Sequence, residues 1–120
     1  MDNLVQIYKN TLPIEFCEHI IELFEKSDNQ MEGMAGGGVN KNIKDSTDLM
    51  ITSYLDNPEW VYVYDYIREN LLGNFVDYLG KFPFYHMNDN YSSQSSLIRT
   101  AQLAFMSSND SNPHMQIQRY

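Results

Sequence analysis

The sequence predicts an α+β fold, and three features of its 120 residues do so. Two stretches, residues 13–26 and 58–82, carry apolar side chains mostly at intervals of three and four, the period of an amphipathic helix. Short runs at 4–9 and 49–54 are rich in β-branched and aromatic residues, as strands are. The run Met115-Gln116-Ile117-Gln118-Arg119-Tyr120 alternates in polarity, with Met115, Ile117 and Arg119 set against Gln116, Gln118 and Tyr120. A strand offers unpaired N–H and C=O groups on both edges and needs neighbours, yet the segments before this one read mostly as helix or loop. The expectation is an incomplete sheet, the front part of a larger domain, with marginal stability for the chain by itself.

The elements follow in order. Leu4-Val5-Gln6-Ile7-Tyr8-Lys9 predicts a short strand, broken by Asn10-Thr11-Leu12-Pro13. Thr11 is the expected N-cap of the first helix, with Pro13 in its first turn. Phe16, Cys17, Ile20, Leu23 and Phe24 form the buried stripe, while Glu15, Glu18, Glu22 and Glu25 mostly decorate the other face. Ser27-Asp28-Asn29 ends the helix. Residues 28–46 form a polar loop around Gly36-Gly37-Gly38 with little reason to hold one conformation unaided. Residues 49–54 predict a strand, Asn57-Pro58 punctuates, and the second helix begins near Pro58. Its stripe contains Val61, Tyr64, Ile67, Leu71, Leu72, Phe75, Tyr78, Leu79 and Phe82. Gly73 weakens it by about 1 kcal/mol relative to Ala, and Gly80 and Pro83 close it. Residues 85–96 read as a loop, 97–106 as a strand or a short helix, and 107–113 as turns.

Composition bounds the function. Eight basic against sixteen acidic residues give a net charge of −8, which argues against nucleic acid as a partner because phosphate binding needs clustered Lys and Arg. The single Cys17 excludes an internal disulfide and fits a reducing compartment. No apolar run approaches the roughly 20 residues of a membrane span, and the acidic Met1-Asp2-Asn3 start lacks a secretory n-region. The expected location is the cytoplasm, with no membrane partner.

Several motifs come close to known chemistry and stop short. Gly33 and Gly38 have phosphate-loop separation, but Val39 and Asn40 stand where Lys and Ser or Thr belong. Asp28, Gln30, Glu32 and Gly33 resemble the first half of a calcium loop, but its twelfth position is Val39 instead of a bidentate Glu. Of the three histidines, His19 reads as a partly buried helix residue. His86 and His114 each precede an amide two positions on, Asn88 and Gln116. A mononuclear iron site takes a carboxylate there, so neither is a complete ligand pair. Cys17 lies on or beside a buried stripe, where a thiol is inert packing, and no Gly-x-Ser-x-Gly elbow occurs. Trp60, Tyr62, Tyr64 and Tyr66 could form a binding platform. Residues two apart on a helix diverge, however, so an aromatic helix packed on several sides is the simpler reading.

Laid in order, these pieces resemble a family. The run from Leu12-Pro13 through Phe16-Cys17-Glu18-His19-Ile20-Ile21-Glu22-Leu23-Phe24-Glu25-Lys26-Ser27 follows a strand. Lys44-Asp45-Ser46-Thr47-Asp48-Leu49 then precedes a long helix, and Ile117-Gln118-Arg119-Tyr120 comes last. This is similar to the front part of an iron(II)- and 2-oxoglutarate-dependent dioxygenase of the prolyl-4-hydroxylase-like group, over about residues 4–120. The resemblance implies two helices buttressing the first strands of an incomplete double-stranded β-helix, or jelly roll. It implies Fe(II) and 2-oxoglutarate as cofactors of the complete domain, and hydroxylation of a C–H bond in an unidentified substrate. Of the cosubstrate pocket it carries over only Tyr120, which would line it and hydrogen-bond 2-oxoglutarate. The metal-binding His-x-Asp, the distal His and the basic residue for the far carboxylate have no match here, so no catalytic residue and no metal ligand is assigned and the chain alone is expected to be inactive. Residues 85–113 match no family motif; they would form a loop region flanking the substrate entrance. The rival reading is a non-catalytic acidic interaction module that binds a partner through an exposed apolar face.

Overall fold

The computed structural model describes residues 4–81 and 114–120. It is α+β, with two helices and a three-stranded antiparallel sheet. The elements are α1 (Ile14–Lys26), β1 (Met31–Glu32), β2 (Thr47–Met50), a single 3-10 turn at Ile51–Ser53, α2 (Pro58–Lys81) and β3 (Gln116–Arg119). The described residues fall into two compact units: residues 13–64 with 114–120, and residues 4–12 with 65–81. The expectations for residues 82–113, including His86, Asn88, the closure at Pro83 and the ambiguous run 97–106, lie outside the described residues.

In the unit containing the sheet, the strand order is β1-β2-β3. Asp48 stands opposite Met31 on one side and Gln118 on the other, and Leu49 opposite Ile117. Its buried apolar residues are Phe16, Phe24, Leu49, Ile51, Trp60, Val63 and Tyr64. The expected α1 stripe holds: Phe16 and Phe24 are buried, and Cys17, Ile20 and Leu23 are half-buried. The cap does not. Pro13 occupies the N-cap position without a side-chain bond, its carbonyl accepting the Cys17 N–H at 3.1 Å. The Thr11 hydroxyl is already committed, donating to the Tyr8 carbonyl at 3.0 Å.

Two local predictions are corrected here. Residues 28–46 hold defined structure: β1 pairs with β2, and Ala35 and Gly38 form a bridge across a tight turn. Gly36 takes φ +65°, at the first central position where a hairpin turn favours glycine. The amides of Ile43 and Lys44 both donate to the Asn40 carbonyl, which closes the next turn. The second correction is a shift. The strand expected at 49–54 is β2, two residues earlier, and the chain coils at Ile51 as the Tyr54 N–H bonds the Ile51 carbonyl. Polar Thr47 and Asp48 extend the strand because Lys44 and Ser46 satisfy the Asp48 carboxylate.

Asn57 caps α2, its side-chain oxygen accepting the Glu59 N–H at 2.9 Å. The buried face of α2 is not the single stripe that was expected. Early in the helix Trp60, Val63 and Tyr64 are buried; later Val76 and Leu79 are, with Leu72 and Phe75 packed against them. Leu71, placed on the stripe by the sequence, is 48% exposed. In the aromatic run, Tyr62 is exposed and Tyr64 buried, so the two diverge as their spacing requires.

In the other unit, residues 4–9 form no strand. Side chains of α2 hold the segment instead. Tyr78 Oη donates to the Leu4 carbonyl at 2.9 Å, Tyr8 Oη donates to Asp77 Oδ2 at 2.8 Å, and Asn74 Nδ2 donates to Thr11 Oγ1 at 3.3 Å. A β-prone run becomes a strand only where a neighbouring ladder accepts it. Asn10 turns the chain at φ 58°, a region that Asn tolerates better than most residues. No helix among the described residues is long and apolar enough to cross a membrane.

Candidate functional site

The candidate site is the face of the sheet that carries Tyr120. Alternation along β3 divides its side chains. Arg119 reaches α1, where its Nη1 donates to both Glu25 carboxylate oxygens at 2.6 and 2.7 Å and its guanidinium lies 5.5 Å from the Phe24 ring centre. Gln116, Gln118 and Tyr120 therefore project from the opposite face. The Tyr120 hydroxyl donates to Gln118 Oε1 at 2.8 Å, and Tyr120 is 83% exposed. Its phenol is accessible, and Gln118 orients it.

Asp48 stands across from Gln118 in β2 and shares this face. It is the one buried charged or polar residue among those described, 6% exposed. Lys44 Nζ lies 2.7 Å from Asp48 Oδ2, and the Ser46 hydroxyl donates to Asp48 Oδ1 at 2.7 Å. Burial pushes the carboxyl up, but the hydrogen bonds from Lys44 and Ser46 outweigh it and hold it below the usual carboxylate range. Gly33 completes the clamp. Its N–H donates to the Ser46 carbonyl at 2.8 Å, and a Cβ built there would lie 2.1 Å from Ser46 Oγ and 3.2 Å from Asp48 Oδ1. This glycine is required for close approach. The clamp fastens the loop after β1 onto β2, and β2 sets the register of β3 and so the place of Tyr120. Reading the sequence placed Lys44, Ser46 and Asp48 in a motif but assigned them no chemistry; the spacing Lys-x-Ser-x-Asp was the signal.

The other singled-out residues do not converge. Gln30 Nε2 donates to the Phe24 carbonyl at 2.7 Å, and Glu32 faces Lys41 at 3.7 Å, so these two of the calcium-like residues are spent on other contacts. His19 is half-buried, 6.2 Å from the Tyr62 ring in an edge arrangement. His114 is exposed ahead of β3, and Cys17 is half-buried in α1. Among the described residues no three His, Cys, Asp or Glu side chains group closely enough to hold a metal ion. These residues do not supply the donor set of an iron centre. What the face offers chemically is hydrogen bonding: an accessible phenol, two amides and, beneath them, a charge pair fixed by its neighbours.

No family model, curated protein or solved structure matches the chain.

Proposed function

We propose that these residues are framework of a cytoplasmic iron(II)- and 2-oxoglutarate-dependent dioxygenase of the prolyl-4-hydroxylase-like group. In this reading, α1 and α2 buttress the opening strands of a double-stranded β-helix, and β3 is a strand of that barrel. Tyr120 hydrogen-bonds 2-oxoglutarate, and the unidentified hydroxylation substrate approaches the same side. The supporting observation is the pairing of β3 with β2. It places Gln116, Gln118 and Tyr120 on the face away from the Arg119 contact with α1, next to the Asp48 clamp. The 120-residue sequence contains no His-x-Asp or His-x-Glu, so this chain alone should give no succinate from 2-oxoglutarate above a ferrous-iron blank.

The deciding experiment reads the coding frame past Tyr120 and assays the encoded polypeptide for succinate release, wild type against Tyr120→Phe. A Gly-containing turn followed by His-x-Asp is expected, with Tyr120→Phe raising KM for 2-oxoglutarate more than it lowers kcat. A stop codon there, with a folded monomeric product, would overturn the proposal. That result would favour the interaction module, whose specific support is Ile14 and Ile21, 74% and 60% exposed on α1.

A further inference from the structure

The outer edge of β3 is the open edge of the sheet. β3 ends the strand order β1-β2-β3, and among the described residues no strand pairs with its far side. The register shows which backbone groups lie there. The Ile51 N–H donates to the Met115 carbonyl at 2.9 Å, and Ile117 stands opposite Leu49 and Arg119 opposite Thr47. In an antiparallel ladder alternate residues turn both backbone groups to the partner strand. The odd-numbered residues of β3 therefore bond β2, and Gln116 and Gln118 turn N–H and C=O outward. An edge is ordinarily blunted by shortness, charge, proline or a covering segment. β1, at the other end of the sheet, is blunted: it has two residues, and its Glu32 pairs with Lys41 at 3.7 Å. β3 is not. It contains no proline, lysine or acidic residue, and its one charge, Arg119, is drawn back to Glu25 on α1.

We infer that β3 pairs antiparallel with β3 of a second copy of this chain, about a twofold axis at Ile117, to make one six-stranded sheet. The inference concerns the sheet edge and rests on nothing in the dioxygenase reading. The strand complements itself. Only outward residues can bond outward residues, and setting Gln116 against Gln118 of the other copy uses both in each strand, each pair exchanging both its N–H···O bonds. The same register sets Ile117 against its own copy and Arg119 against Met115 of the other, so no like charges stand opposite each other. The Gln side chains meet amide to amide. Such a contact is isologous and closes at two copies. Each copy carries a net charge of −8, and an edge free of acidic side chains is where two such chains can meet without opposed carboxylates.

Analytical ultracentrifugation of the 120-residue chain across a concentration series tests this. The mass should rise from 14.0 kDa toward twice that value. Added salt should strengthen association, because it screens the repulsion between two acidic copies. On association the amides of Gln116 and Gln118 should exchange more slowly, while that of Glu32 on the other edge should not change. Gln116→Lys with Gln118→Lys sets Lys against Lys in both symmetry-related pairs and should weaken association about five-fold or more. Gln116→Glu with Gln118→Lys sets opposite charges there at unchanged net charge and should restore it. Amide resonances of α1 and β2 that superimpose on wild type establish that both variants are folded. A chain that stays monomeric at every concentration, a dimer equally tight in the Lys–Lys variant, a Glu–Lys variant no tighter than the Lys–Lys one, or protection at Glu32 in place of Gln116 and Gln118 would overturn the inference.

Discussion

Replacing Asp48 with Asn tests whether the Lys44–Asp48–Ser46 clamp holds this part of the fold together. Asn keeps the size and an oxygen for the Ser46 hydroxyl, but it removes the charge that Lys44 faces at 2.7 Å. A hydrogen bond to a charged group contributes about 1.5–3 kcal/mol, and orphaning one partner of a fully buried ion pair costs about 3–5 kcal/mol. The Lys44 side chain is 17% exposed and can turn part of its ammonium to water, so the lower range applies. The expected loss is about 2–3 kcal/mol, some 30- to 150-fold in the unfolding equilibrium by the usual conversion. Urea unfolding followed by the fluorescence of buried Trp60 measures it. Lys44→Met added to Asp48→Asn should recover part of the loss, because the orphaned cation is gone. The pH dependence has a fixed sign. The folded carboxyl titrates below its unfolded value, near 3.9. The stabilisation is therefore complete above about pH 4 and is lost as pH falls through the folded value, and the gap between wild type and Asp48→Asn should close on acidification. A loss under about 0.5 kcal/mol at neutral pH, the size of an ordinary surface change, would refute the clamp.

The glycines separate sharply by position. Gly33→Ala should cost about 1–3 kcal/mol, because its Cβ would meet Ser46 Oγ at 2.1 Å. Gly36→Ala should cost about 1–2 kcal/mol from its left-handed backbone alone, and Gly37→Ala, with open space around it, should be nearly neutral; urea midpoints rank the three. Burial and then the hydrogen bond to the Asp77 carboxylate push the Tyr8 phenol up to about 12. One of the nine tyrosines should accordingly ionise late by phenolate absorbance, and Asp77→Asn should bring it down. The stabilisation from that bond is complete below about pH 10 and disappears as pH rises through about 12. Arg119→Ala removes a half-exposed ion pair and a ring contact. It should cost about 0.5–1 kcal/mol and speed amide exchange in residues 116–119.

What the sequence determined by itself was local. The apolar spacing of Phe16, Ile20, Leu23 and Phe24 specifies α1, and the alternation from Met115 to Tyr120 specifies β3, because period and side-chain direction are properties of a few consecutive residues. The acidic balance is likewise a property of the list of residues. Tertiary structure decided which β-prone runs become strands. Residues 4–9 have the composition but no ladder beside them, and α2 side chains hold them instead. Thr47 and Asp48 lack the composition, yet they sit in β2 because Lys44, Ser46 and the bare backbone of Gly33 neutralise and shield a buried charge. Tertiary packing also buried Trp60, Val63 and Val76, which the apolar stripe read from the sequence does not include. At the candidate site, the strand bearing Tyr120 was legible. The clamp beneath it was not, because it depends on Gly33 and Ser46 meeting across thirteen positions of chain, and one-dimensional spacing carries no record of that approach.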